Sequence, residues 1–88
     1  MGDKELEKAH KALANRRRVA IVRYLDGRKE ANLGTIAEHL KLSYKSTSKH
    51  LSQLVAAGIL DKDSRSGLTF FWLSKELPPI ARHTISLL

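Results

Sequence analysis

The chain has no cysteine. Disulfides, thiolate nucleophiles, CxxC redox motifs and cysteine-based zinc sites are therefore excluded. Nothing in it calls for an oxidising compartment, which fits a cytoplasmic protein. No apolar run approaches the roughly 20 residues of a membrane-spanning helix, so no membrane partner is expected. The opening stretch, MGDKELEKAHKAL, is charged and helical in pattern, unlike a secretory signal. Proline occurs only at 78 and 79, so no earlier segment is barred from being helical. There is no glycine-rich phosphate loop, no nucleophile–base arrangement and no carboxylate pair in a plausible pocket, so no enzyme is expected. His10, His39, His50 and His83 fall on four different predicted helices and no two have HxxxH spacing, so neither a metal nor another cofactor is expected.

One further absence is local. From His39 through Leu60 there is no Asp or Glu, while Lys41, Lys45 and Lys49 are all positive. The acidic residues gather elsewhere, at Asp3, Glu5, Glu7, Asp61 and Asp63. A surface cleared of carboxylates is what a phosphate-facing side needs. The whole chain points the same way: 16 Lys and Arg against nine Asp and Glu give +7, a large excess for 88 residues and a prediction of polyanion binding. At this length the chain is one domain, 1–88, with a thin core that gains from oligomerisation.

Residues 4 to 14 read as a first helix, with Leu6, Ala9, His10 and Leu13 on one face and Asp3 as its cap. Asn15 breaks the pattern. Residues 16 to 26 form a second helix with Val19, Ile21, Val22 and Leu25 apolar. It opens on Arg16, Arg17 and Arg18. Cations at a helix N-terminus oppose the dipole, so local stability does not explain them; a nearby phosphate does, and a solvated basic corner is the plain alternative. Residues 28 to 32 read as a polar loop. Leu33, Ile36, Ala37 and Leu40 then give an amphipathic helix, capped by Asn32 or by a Thr35–Glu38 capping box. After the short turn Lys41-Leu42, Ser43 is a good N-cap for a helix whose Thr47, Leu51 and Leu54 share a face and which Gly58 stops. Two short helices with so brief a connection are the helix-turn-helix pattern.

Ile59 to Asp63 and Leu68 to Leu73 are the strand candidates, joined by the turn cluster Ser64-Arg65-Ser66-Gly67. A hairpin whose tip carries Arg65, placed directly after a recognition helix, is a wing. Ser74 is a cap candidate for the last segment, and Pro78-Pro79 must sit at or before a first helical turn. Ile80, Ala81, Thr84, Ile85 and Leu88 then form an apolar stripe. That terminal helix, about 79–88, is a candidate subunit interface together with the first; folding back onto its own monomer is the alternative. The expected fold is mainly α with a small β-hairpin, a winged helix-turn-helix in the order α-α-α-α-β-β-α.

The face of the fourth helix opposite Thr47, Leu51 and Leu54 carries Tyr44, Lys45, Ser48, Lys49 and Ser52. Tyr44, Lys45, Ser46 and Ser48, near its N-terminus, are the best placed for base edges or adjacent phosphates. Lys49, Arg65 and Arg16 to Arg18 read as phosphate contacts. Hydroxyls bond to bases and phosphates alike, so they do not disclose an operator. His50 packs or bonds locally beside this face.

These strings resemble the ArsR (arsenic repressor-like) winged-helix transcriptional regulators over roughly Lys8 to Leu73. His10-Lys11-Ala12-Leu13-Ala14-Asn15, then Arg18-Val19 and Ile21-Val22, is similar to the family's opening motif of the type KALADPTRLRIL, with Asn15-Arg16 in place of Asp-Pro. Leu42-Ser43 through Leu60 resembles LSxxTVSxHLxxLxxAGLV without gaps, matching at Ser43, Ser46, Ser48, His50, Leu51, Leu54, Ala57, Gly58 and Ile59. Gly67 and Phe71-Trp72-Leu73 look like the family's wing. The resemblance implies a homodimer built from the first and last helices, acting as a repressor on double-stranded promoter DNA, with Ser46, Ser48, Lys49 and His50 on or beside the DNA-reading face. Leu33-Gly34-Thr35 stands where many members have metal-sensing cysteines, and the last helix offers only His83 and Glu76. Two alternatives remain in view: a ligand- or metal-responsive sensor of the same fold, and a winged-helix protein-interaction module.

Overall fold

Asparagine and serine side chains start the three inner helices. In a computed structural model that describes residues 2–77 and 79–88, the elements run α1 (Asp3–Leu13), α2 (Arg16–Leu25), β1 (Ala31–Asn32), α3 (Leu33–Leu40), α4 (Tyr44–Ala56), β2 (Leu60–Arg65), β3 (Leu68–Leu73) and α5 (Pro79–Ser86). Asn15 caps α2, its Oδ1 accepting from Arg17 N at 2.9 Å and Arg18 N at 3.1 Å. Asn32 caps α3 through Thr35 N at 2.8 Å, and Ser43 Oγ caps α4 through Ser46 N at 3.0 Å. Each satisfies backbone donors that have no partner inside the helix. Asp3 is not a cap: it is the first residue of α1, where its charge suits the helix dipole, and Gly2 takes the cap position without a side-chain bond.

The helix-turn-helix is closed by two left-handed residues. Gly58, at φ 76°, ends α4: Ile59 N donates to Leu54 O and Gly58 N to Val55 O, both at 3.0 Å. Lys41 ends α3 in the same way at φ 56°, with Leu42 N donating to Ala37 O at 3.0 Å. An L side chain in this region is strained by about 1 kcal/mol or more, so a lysine here holds its place at a conformational cost.

The polar loop expected at 28–32 contains a short strand. β1 pairs antiparallel with β3, Ala31 opposite Phe71 and Asn32 opposite Phe70, so the sheet has three strands in the order β1-β3-β2. Two residues, preceded by Arg28-Lys29-Glu30 and followed at once by a helix, carry too little period-2 signal to be seen in sequence. The wing's second strand has the bounds expected, but the first runs Leu60–Arg65 and not Ile59–Asp63: Ser64 and Arg65 belong to β2, and the turn is only Ser66 (φ 52°) and Gly67 (φ 79°). Positive φ at both turn residues is the type I′ geometry that matches strand twist.

The core is where the stripes meet. Ile21, Val22 and Leu25 of α2, Ile36 of α3 and Leu51 and Leu54 of α4 are fully buried beside Ile59 and Leu60. Ala9 and Ala12 of α1, Leu77, and Ala81 and Ile85 of α5 are buried in the same cluster. The last helix thus covers its own monomer's core, which is the alternative reading for Ala81 and Ile85, while Leu87 stays largely exposed. Ser74 caps a turn through Glu76 N at 3.2 Å rather than the last helix. Pro78 lies outside the described residues, as do the side chains of Pro79 and Ile80.

Candidate nucleic-acid interface

α4 is anchored by one face and presents the other. Thr47, Leu51 and Leu54 have no exposed surface, and the Thr47 hydroxyl donates to Ser43 O at 2.8 Å, so its polarity is satisfied inside the helix. Tyr44, Lys45, Ser48, Lys49 and Ser52 are all exposed. Ser46 is half-buried and its backbone N–H is taken by the cap. Thirteen residues make a rod about 20 Å long, of the width a major groove admits.

A groove of ≈ 260 Å³ runs between α4 and the wing. Tyr44, Ser48 and Ser52 line its helix side; Lys62, Gly67 and Thr69 line its wing side. Gly34 lies at its floor beneath Tyr44, and a Cβ there would sit 3.2 Å from Tyr44 Cζ and closer still to the hydroxyl. The glycine at this position is what allows Tyr44 to lean over the start of α3.

Lys62 escaped the sequence reading, and a period-2 count along β2 recovers it. Leu60, Lys62 and Ser64 share the face that meets Leu73, Phe71 and Thr69, while Asp61, Asp63 and Arg65 take the other. Arg65 therefore points away from Lys62. Its Nη2 is 2.7 Å from Glu30 Oε1, its Nε is 3.3 Å from Asp63 Oδ2, and its guanidinium lies 4.3 Å over the Phe70 ring. The hydrogen bond that Arg65 donates to Glu30 raises its pKa above the usual arginine range, with the charges of Glu30 and Asp63 adding to the effect.

The three arginines opening α2 separate. Arg16 and Arg17 are exposed and share a shallow hollow with Lys41 and Leu42 of the helix-turn-helix connection. Arg18 is half-buried and turned inward. Its Nε donates to Ala12 O at 2.6 Å and its Nη2 to Lys11 O at 3.2 Å; its Nη1 bonds Gln53 Oε1 and lies 3.5 Å from His50 Nδ1. Burial, then the positive charges of Arg18, Arg17 and Lys49, holds the His50 imidazole below its ordinary pKa. Arg17 and Lys49 thus act on the same spot from two helices, extending the basic surface of α4 onto α2.

A model of the helix-turn-helix domain matches residues 13–63, more than half of the chain. The chain belongs to the helix-turn-helix domain family. Its winged arrangement has the fold of solved ArsR-family regulators. Among solved structures the chain is similar to HlyU from Vibrio cholerae, at 27% identity and a TM-score of 0.79 over 99% of this chain and 92% of that one. It is similar in fold to a homodimeric winged helix-turn-helix DNA-binding domain from Mycobacterium bovis, a possible ArsR-family regulator, at 22% identity and TM-score 0.82 over 99% and 82% of the two chains. The transcriptional repressor PagR of Bacillus anthracis has the same fold, at 23% identity and TM-score 0.78 over 96% and 92%. No curated protein is significantly similar to it. Among the described residues no helix is long and apolar enough to cross a membrane, and no group of three or more His, Cys, Asp or Glu is placed to hold a metal.

Proposed function

We propose that this helix-turn-helix protein is a cytoplasmic, sequence-specific double-stranded-DNA-binding repressor that acts as a homodimer. The observation that carries the reading is the division of α4 into a fully buried Thr47–Leu51–Leu54 face and an exposed face of hydroxyls and lysines, with no carboxylate from His39 to Leu60. Tyr44, Lys45, Ser46, Ser48 and Ser52 read base edges or nearby phosphates in the major groove. Lys49, Arg16, Arg17 and Lys62 neutralise phosphates on either side. His50 stands beside this face and responds to it. Arg65 serves the wing's own geometry in this reading, since two carboxylates already meet its charge.

Homodimerisation through α1 and α5 is supported by the largely exposed Leu87 just beyond α5, and by the homodimeric state of the Mycobacterium bovis domain of the same fold. Repression is supported by likeness in fold to PagR, a repressor. Selection of bound sequences from random duplex DNA tests the reading directly. Enrichment of a palindromic site is expected, with affinity lost on substituting Lys45 and Lys49 by Ala. Equal binding to all duplexes refutes sequence specificity. Sedimentation tests the dimer, which a monomer at tens of micromolar refutes.

A further inference from the structure

Arg18 sits where the C-terminus of α1 and the N-terminus of α2 meet the flank of α4. Its side chain projects from α2, yet its hydrogen bonds go to α1 and α4. Two of its nitrogens reach Lys11 O and Ala12 O, carbonyls in the last turn of α1; Lys11 O accepts from Ala14 N as well. The third reaches across to Gln53 Oε1 on α4, with His50 Nδ1 nearby. The side chain therefore closes the C-terminus of one helix, where the dipole favours a cation, and clamps it to the side of another. Only a planar guanidinium has donors diverging widely enough to do both; a lysine ammonium reaches one acceptor group at a time. Gln53 and His50 are one turn apart on α4, on the flank adjoining Lys49. Ala9 and Ala12 of α1 are buried in the same core cluster as Ala81 and Ile85 of α5.

We propose that Arg18 is a positioning residue for DNA binding: it fixes the recognition helix α4 against the end of α1, so that the angle between reading face and dimer-forming helix is set by one guanidinium. It makes no phosphate contact. This inference rests on the DNA-binding reading above, which assigns α4 to recognition and α1 to the dimer.

The experiment compares Arg18→Lys, Arg18→Gln, Gln53→Ala and the Arg18→Gln/Gln53→Ala double variant with wild type, by anisotropy on a selected duplex across salt. Arg17→Ala serves as the phosphate-contact control. Both Arg18 variants should bind on the order of tenfold more weakly, the size expected for lost charge-assisted hydrogen bonds. Their salt slope should equal wild type, while Arg17→Ala lowers it by about 0.9 per contact. Gln53 is exposed, so Gln53→Ala folds normally and should show a smaller loss of the same kind. The double variant should be no worse than Arg18→Gln alone, because both changes cut one connection. Rescue by Arg18→Lys, a fall in slope for Arg18→Gln, or additive losses would overturn the proposal. A readout without DNA separates the two readings: in the free protein the Arg18 Nε–H should exchange slowly with solvent, and more quickly in Gln53→Ala. If wild type binds no duplex, the functional reading falls and the exchange result alone decides the tie; fast exchange in wild type refutes it.

Discussion

Replacing Lys62 by Ala and, separately, Arg65 by Ala should divide the wing's two basic residues by role. Lys62 has no ion pair among the described residues and faces the groove with Ser48 and Ser52. Arg65 lies on the opposite face of the sheet, held at 2.7 Å by Glu30 and 3.3 Å by Asp63. A cation that meets a phosphate releases a counterion and contributes about 0.9 to the slope of log K against log salt. Losing one such contact at ~0.15 M salt weakens binding by about fivefold per protomer, or about 25-fold for a dimer whose two wings both bind. Lys62→Ala should therefore lower the slope by about 1.8 per dimer. Arg65→Ala should leave the slope unchanged, because that charge is already met within the protein. Its affinity loss should be smaller and should come from the two carboxylates it unmasks. The assay is fluorescence anisotropy of one labelled duplex titrated from roughly 50 to 300 mM potassium chloride, the range over which such slopes are steep. If Arg65→Ala flattens the slope as much as Lys62→Ala, the Glu30 pairing gives way on binding and the division is wrong.

Gly34→Ala should keep the fold and gain roughly 0.5–1 kcal/mol in thermal unfolding, because alanine is the better helix residue. The same change should displace the exposed Tyr44 ring and weaken duplex binding; unchanged affinity would remove Tyr44 from the interface. Lys41→Gly should relieve left-handed strain worth about 1 kcal/mol, partly offset by glycine's greater unfolded freedom, and melting would show it as neutral to stabilising. Below pH 6.5 the unfolded chain protonates at His50 before the folded one does, since its folded pKa is lowered; stability from this group therefore falls as pH drops beneath 6.5. Bound phosphate opposes that lowering, so DNA affinity should rise over the same interval, and His50→Gln should abolish the part of the pH dependence that wild type owes to this ring.

The helical part of the fold was legible because each inner helix states its apolar period within a dozen residues and α3 and α4 also show their caps; Asn15, the cap of α2, reads in sequence only as a break. Ser43, Thr47, Leu51, Leu54 and Gly58 specify α4 from cap to stop without help from the rest of the chain. The sheet was less legible. β1 exists because Phe71 and Phe70 of a distant strand offer hydrogen bonds to Ala31 and Asn32, and a partner some 40 residues away leaves no local trace. The basic residues were hardest to sort. Charge and position put Arg18 and Arg65 with the phosphate contacts, but neither property says what lies beside a long side chain. For Arg18 that neighbour is a helix end and for Arg65 a pair of carboxylates. Lys62, overlooked between two aspartates, is the cation left free to face the groove.

The third strand also changes what recognition demands of this protein. A two-stranded hairpin alone is marginally stable in water and wanders. Here β1 zips along β3, and Arg65 ties the same hairpin to Glu30 just ahead of it. The wing is thereby continuous with the start of α3, and the helix-turn-helix and the wing move as one body. The width of the groove is set before a duplex arrives, so the ordering entropy of the wing is spent in folding and not in binding.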